Sequence, residues 1–391
     1  MVDTSTVMIM WETNCRYDDV ELLYKRRPAY RSGPKQQLIR DADVEHRFAA
    51  DSMEFLHVGP HRFVHRVYFQ NLISDSFYDY IVRLVPDDSA TQRRHKGRTT
   101  GEKTPFSATF YHPGDLVETL SVGIVSDSHG GSETFTQLLR SLSKRRPDLF
   151  LHVGDMVNQG KKRFEWQVFF FDALTRSGMS SKVPSVITMG NHDLSEHGAS
   201  DYLAPTTKLS KNRAAYYYAF SAGPVRFIVL DCNSKGDEQI QWLEAELAAI
   251  PTQRSVFRII TIHSPPFVEY WDAESWRGGE NKWAAMIRSK MVPLFEKYHV
   301  DLVLSGHQHN YQRGFRNGVH YVICGGGGGM LDTNRVEDHH VFKKTSFVHH
   351  YLHLDITKTE ITIKAYGVDR REFDQLTIPK NVVRRYRAAD P

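Results

Sequence analysis

SVGIVSDSHGGSETFTQLLRSLSKRRPDLFLHVGD, residues 121 to 155, reads as strand, helix, strand. Ser121 to Ser126 is an apolar run that stops at Asp127-Ser128-His129-Gly130-Gly131. Phe135, Leu138, Leu139 and Leu142 then recur at three-to-four spacing, which predicts a helix with one apolar face. Pro147-Asp148 precede a second strand, LFLHV, which ends in Gly154-Asp155. Outward from there, a helical stretch runs from about Arg163 to Leu174. Pro184 opens a third strand, SVITM, which ends in Gly190-Asn191-His192-Asp193. This alternation implies parallel pairing with right-handed crossovers. Continuous rather than alternating apolar runs fit strands covered on both faces.

In such sheets, ligands bind beyond the carboxyl ends of the strands. Each end here carries a side chain able to hold a metal: Asp127 and His129, then Asp155, then Asn191. Two later runs repeat the plan, RIITIH ending in His263 and DLVLSGHQH in His307 and His309. Five strands thus end in seven potential ligands. Taken singly, Asp127 reads as a turn residue or helix cap, and His263 as a strand-end histidine satisfied by backbone. The ordered set points instead to a dinuclear site. Two divalent ions ~3.5–4 Å apart need both hard and borderline ligands. A carboxylate between them, one oxygen to each, offsets their repulsion. Water bound there ionises near pH ~7 and becomes the attacking hydroxide. The absence of Cys from the set disfavours a structural zinc knuckle.

The pattern before Leu120 differs. VMIMWE, VELLYKRR, HRFVHRVYFQNL, FYDYIVRL and PFSATFYHPG are short and strand-like, with no helical run among them. They predict an all-β sandwich over residues 1–114, followed by an α/β catalytic unit over residues 115–391. Ala90 to Lys103 is polar and basic and reads as an exposed loop. Downstream, GDEQIQWLEAELAAI has Ile240, Leu243 and Leu247 in phase, as a helix covering the sheet. FVEYWDAESWRGGENKW, with Trp271, Trp276 and Trp283, reads as a rim or lid. The run Gly325 to Gly329 lacks a following Lys-Ser/Thr and is no phosphate loop; it reads as a turn that brings backbone close to the site. Ser346 to Ile356, Glu360 to Tyr366 and Glu372 to Ile378 read as an antiparallel set completing a second sheet.

SDSH, GD, GNHD, the His of TIHSPP and GHQH, in this order, resemble the calcineurin-like metallophosphoesterases over roughly residues 120–380. GHQHNYQR and the N-terminal sandwich, which is similar to a fibronectin type III module, point to the purple acid phosphatase branch. On that comparison VMIMWE is the second strand of the module, Trp11 its core tryptophan, and the first strand is missing. The resemblance implies a two-sheet, helix-flanked sandwich. It assigns Asp127, His129 and His309 to one metal, Asn191, His263 and His307 to the other, and Asp155 to the bridge. His192 would act on the phosphate as catalytic acid, with Asp193 or a neighbouring carboxylate orienting it. The expected activity is hydrolysis of phosphate esters by hydroxide held at a dinuclear metal centre, acid-phosphatase-like and on monoesters. Diester hydrolysis and a non-catalytic metal-binding module are the alternatives. The branch places Tyr where Asn158 stands, and lacks a His at the position of His129. A colourless pair of divalent ions (Mn, Fe or Zn) is therefore expected rather than a purple ferric one.

A net charge of +4, from 50 basic and 46 acidic residues, is too mild to argue for nucleic acid. The partner expected is a small or exposed phosphate ester. Cys15, Cys232 and Cys324 make no disulfide framework, and the latter two read as buried thiols. No run is long enough for a membrane span. MVDTSTVMIMWETN lacks the basic and apolar regions of a secretory signal.

Overall fold

The expected parallel strands form, but they divide between two sheets. Six strands make the first, in the order Ser185–Ile187, Leu149–His152, Leu120–Val125, His350–Ile356, Glu360–Gly367 and Glu372–Pro379. Seven make the second: Tyr218–Ala222, Val225–Leu230, Phe257–Ile262, Leu302–Ser305, Val319–Cys324, Tyr311–Arg316 and Phe342–Ser346. Of the five ligand-bearing strands, three lie in the first sheet and two in the second. The computed structural model describes residues 5–13, 19–28, 46–48, 54–59, 62–85, 106–194, 202–203, 207–210, 213–234, 236–280 and 282–380. Cys15, the loop from Ala90 to Lys103, His197, Asp201 and the C-terminal arginines Arg384, Arg385 and Arg387 lie outside them.

The C-terminal strands correct one expectation. They extend the first sheet instead of completing the second. The crossovers stack Leu149–His152 and Ser185–Ile187 on one side of Leu120–Val125, in parallel. Its other edge is left open, and His350–Ile356 fills it antiparallel, pairing Leu352 with Ile124 and Leu354 with Val122.

Alternate residues of each apolar strand feed different layers. Val122, Ile124 and Leu149 face Phe227, Val229, Ile259 and Leu304 between the sheets. Val125 and Phe150 face outward, under Phe135, Leu138 and Leu142 of the helix Ser132–Ser143. Ile228, Ile260 and Val303 meet Leu243 and Leu247 of the helix Glu238–Ala248 on the far side. Burial on both faces is why these runs lack a period of two. Four layers result, and both sheets direct parallel strand ends to one rim. Among the described residues, no helix is long and apolar enough to cross a membrane.

The N-terminal region is a sandwich of two antiparallel sheets. One orders Val7–Thr13, Arg62–Phe69 and Glu54–Gly59; the other His46–Phe48, Asp19–Pro28, Ser76–Val85 and Phe106–His112. Its centre is Phe69, Tyr24, Tyr78, Tyr80 and Phe110. Trp11 does not occupy that centre. The alternation of VMIMWE turns Val7, Ile9 and Trp11 inward, but Trp11 sits near the strand's end, half-buried and stacked on His65 at 5.2 Å. Met10, on the opposite face, packs with Val64 into the apolar layer of Trp166 and Phe170. The sandwich is therefore docked on the α/β unit by its own outward face.

Arg27 pairs with Asp79 inside the sandwich, both under 6 % exposed, and Thr109 also donates to Asp79. Removing one partner of a buried pair leaves an uncompensated charge, at a cost of about 3–5 kcal/mol. Asp79→Ala is expected to lower the denaturant midpoint accordingly. A midpoint unchanged from wild type would show that the pair contributes nothing.

Candidate metal centre

The strand ends turn sharply at the rim. Asp127, Asp155 and His307 adopt left-handed backbone, with φ of 58°, 56° and 69°. Each such non-glycine residue costs about 1–3 kcal/mol and persists where surrounding contacts impose it. Here they do. Asp127 N–H donates to Gly154 O, and the Asp127 carboxylate accepts His307 N–H at 3.0 Å to each oxygen. That last bond crosses from one sheet to the other. Glycine is required beside these turns: a side chain at Gly306 would collide with Ser126 and Asp127, and one at Gly329 with His309. The glycine run thus brings backbone against the site, as its sequence suggested, and Gly329 N–H donates to Asp127 O.

Six of the seven residues converge in two groups. Asp127, His129 and His309 place one donor atom each within 4.8 Å of one another, as do Asp155, His263 and His307. Nε2 of His129 and Nε2 of His309 stand 3.2 Å apart. Two nitrogen ligands of one tetrahedral ion at roughly 2.0–2.1 Å would stand roughly 3.3 Å apart. Asp155 Oδ2 lies 3.2 Å from His263 Nε2 and 3.9 Å from His129 Nε2, between the two groups. Its Oδ1 accepts His192 N–H, so a single oxygen, and not one oxygen for each ion, faces both groups. Asn191 Oδ1 and His263 Nε2 are buried without a hydrogen-bond partner. Hard oxygens, imidazoles and the orphaned Asn191 Oδ1 fit a pair of divalent ions.

Most of the rings are oriented from behind. His129 Nδ1 meets Asn158 Oδ1 at 3.0 Å, His309 Nδ1 meets Met330 O at 2.7 Å, and His263 Nδ1 meets Val153 O at 2.8 Å. An acceptor at Nδ1 fixes the tautomer and aims Nε2 at the site. Asn158, which sequence reading marked only as a departure, is thus the support of His129. Its distance of three residues from Asp155, in the same turn, was the available signal. Asp332, which accepts His309 N–H, gave none.

Charge is balanced locally. Burial opposes ionisation of Asp127 and Asp155, yet His263 beside both holds their carboxyls below the usual range. Burial likewise opposes a charged His263 and His309, yet Asp155 and Asp127 push His263 up to about 10, and Asp127 pushes His309 up to about 9. Two protonated imidazoles therefore offset two buried carboxylates, and cations entering the site would displace those protons.

Other expectations resolve differently. His192 is exposed, stacks on His129 at 4.7 Å, and places a ring nitrogen within 4.8 Å of donors on His129 and Asp155. Its Nδ1 bonds Asn158 O at 2.8 Å. Asp193 does not orient it. The fully buried Asp193 carboxylate accepts N–H groups of Asp155, Met156 and Gly190, and so clamps two ligand loops together. Tyr311 and Arg313 both donate to Asp374 of the first sheet and tie the sheets together.

The comparisons agree with this architecture. Residues 120–311 match the calcineurin-like phosphoesterase family. A nucleotide pyrophosphatase/phosphodiesterase of Hordeum vulgare is 24% identical over 298 residues, 64% of this chain and 77% of that one. A probable inactive purple acid phosphatase 27 of Arabidopsis thaliana is 26% identical over 240 residues, 52% of this chain and 38% of that one. The purple acid phosphatase PPD1 from yellow lupin seeds superposes with a TM-score of 0.70 at 18% identity, covering 97% of this chain and 73% of that chain. The match to the calcineurin-like phosphoesterase family thus takes in strands of both sheets of the α/β unit, and the fold is that of the lupin purple acid phosphatase. Its relatives include purple acid phosphatases, some of them named inactive.

Proposed function

We propose that the protein is a two-metal phosphoric ester hydrolase, acid-phosphatase-like and acting on monoesters, with catalysis in residues 115–391. The observation that carries this reading is the completeness of the donor set, including the orphaned Asn191 Oδ1. A scaffold freed from catalysis tends to lose ligands, and here all seven residue types are in place. Asp127, His129 and His309 would hold one divalent ion, Asn191, His263 and His307 the other, with Asp155 between. When bound, such ions acidify water and neutralise phosphoryl oxygens. His192, with Nδ1 bonded to the Asn158 carbonyl, keeps Nε2 for the proton that the leaving oxygen takes up.

The test is metal content together with turnover of p-nitrophenyl phosphate, before and after chelation. Bound metal near two equivalents, activity lost on chelation and restored by Mn, Fe(II) or Zn, is the expected result. Full turnover by metal-free protein would overturn the reading. The name of the barley relative favours a second reading, diester hydrolysis. Faster turnover of bis-p-nitrophenyl phosphate than of the monoester would establish it.

A further inference from the structure

The four histidines expected to hold metal are not supported alike. His129, His263 and His309 each have an acceptor behind Nδ1. His307 has none: neither ring nitrogen has a hydrogen-bond partner among the described residues. Its backbone N–H is held by Asp127, but its ring is held by other rings alone. Trp271 stacks on it at 4.3 Å with 27° between planes. The edges of Trp283 and His263 close the sides, at 5.8 Å and 5.3 Å.

We propose that Trp271 is the positioning residue of His307, in place of the hydrogen-bond acceptor that the other three rings have, and that hold on the ion beside His307 therefore depends on this stack. The inference rests on the two-metal reading above. An acceptor behind an imidazole both orients it and raises its basicity as a ligand. A stacked ring supplies orientation through offset face contact but adds no basicity. Trp271 is itself fixed to the turn it serves. Gln308, next to His307, accepts the N–H groups of Glu269 and Tyr270 at 2.9 and 2.8 Å. Trp271 N–H then donates to Asn334 O at 2.9 Å. The connection after His263 and the loop of His307 are thus one unit. A displacement of that connection moves the ring that aims His307, and so alters hold on one ion and not the other.

Metal-free full-length protein titrated calorimetrically with Mn²⁺ or Zn²⁺ decides the matter. Trp271→Ala is expected to keep one ion at wild-type affinity and weaken the other by about 10–100-fold, the usual effect of removing a ligand's support. Trp271→Phe, which preserves a stack, should restore most of that loss. The difference in emission between wild type and Trp271→Phe should change in only one of the two binding steps. Two ions bound by Trp271→Ala at wild-type affinities would overturn the inference while leaving the two-metal reading intact. Wild-type protein that takes up no ions would overturn both. Should Trp271→Ala fail to fold, Trp271→Phe and the emission difference decide. An emission difference indifferent to metal, or changing equally in both binding steps, overturns the proposal.

Discussion

Asp155→Ala is expected to yield a folded protein that retains neither ion and has lost about 10⁴-fold in kcat/KM, roughly 5.5 kcal/mol of transition-state stabilisation. The size follows from position. Asp155 Oδ2 lies between the two donor groups, 3.2 Å from His263 Nε2 and 3.9 Å from His129 Nε2. Removing it deletes a shared ligand and the negative charge that lets two cations lie close together. Folding should survive, because the Asp193 carboxylate holds the same loops by three N–H groups, whereas Asp155 Oδ1 accepts one. Elemental analysis and circular dichroism on one preparation check both halves. A variant that still holds two equivalents of metal would remove Asp155 from the bridging position.

His192→Ala should behave in the opposite way, keeping both ions and losing about 10²–10³-fold in kcat, the usual worth of a placed general acid. The loss should depend on the leaving group. An alkoxide needs its proton more than p-nitrophenolate does, so an alkyl phosphate should suffer more than the nitrophenyl ester. An equal loss on both substrates would exclude proton donation. Metal loss would instead mean that the ring stacked on His129 at 4.7 Å is a ligand or props one.

Much of the rim was legible in the sequence because each donor follows directly on an apolar run, where chain direction and position are fixed together. The partition into two sheets was not. A strand buried on both faces carries the same continuous pattern whichever sheet it joins, so nothing in RIITIH says that it pairs away from LFLHV. Asp193 misled for a related reason. A carboxylate next to a histidine reads as its partner, yet in a tight turn the nearest unsatisfied groups are backbone amides, and those won. Trp271 was legible only as part of a rim. Its stack on His307 joins residues 36 positions apart, and no periodicity records that.

The bond between the Asp127 carboxylate and His307 N–H spans the two sheets, and so do both donor groups. Each ion would act as a cross-link between halves that are otherwise joined at this end by packing and a few polar ties. Occupancy should therefore be read in mechanical terms. Native-state hydrogen exchange is expected to slow on metal addition at the carboxyl ends of Leu120–Val125 and Leu302–Ser305, and to change little at their amino ends. On that view the metal-free protein is a clasp left open along one seam, and substrate would meet a rim that the ions themselves have drawn shut.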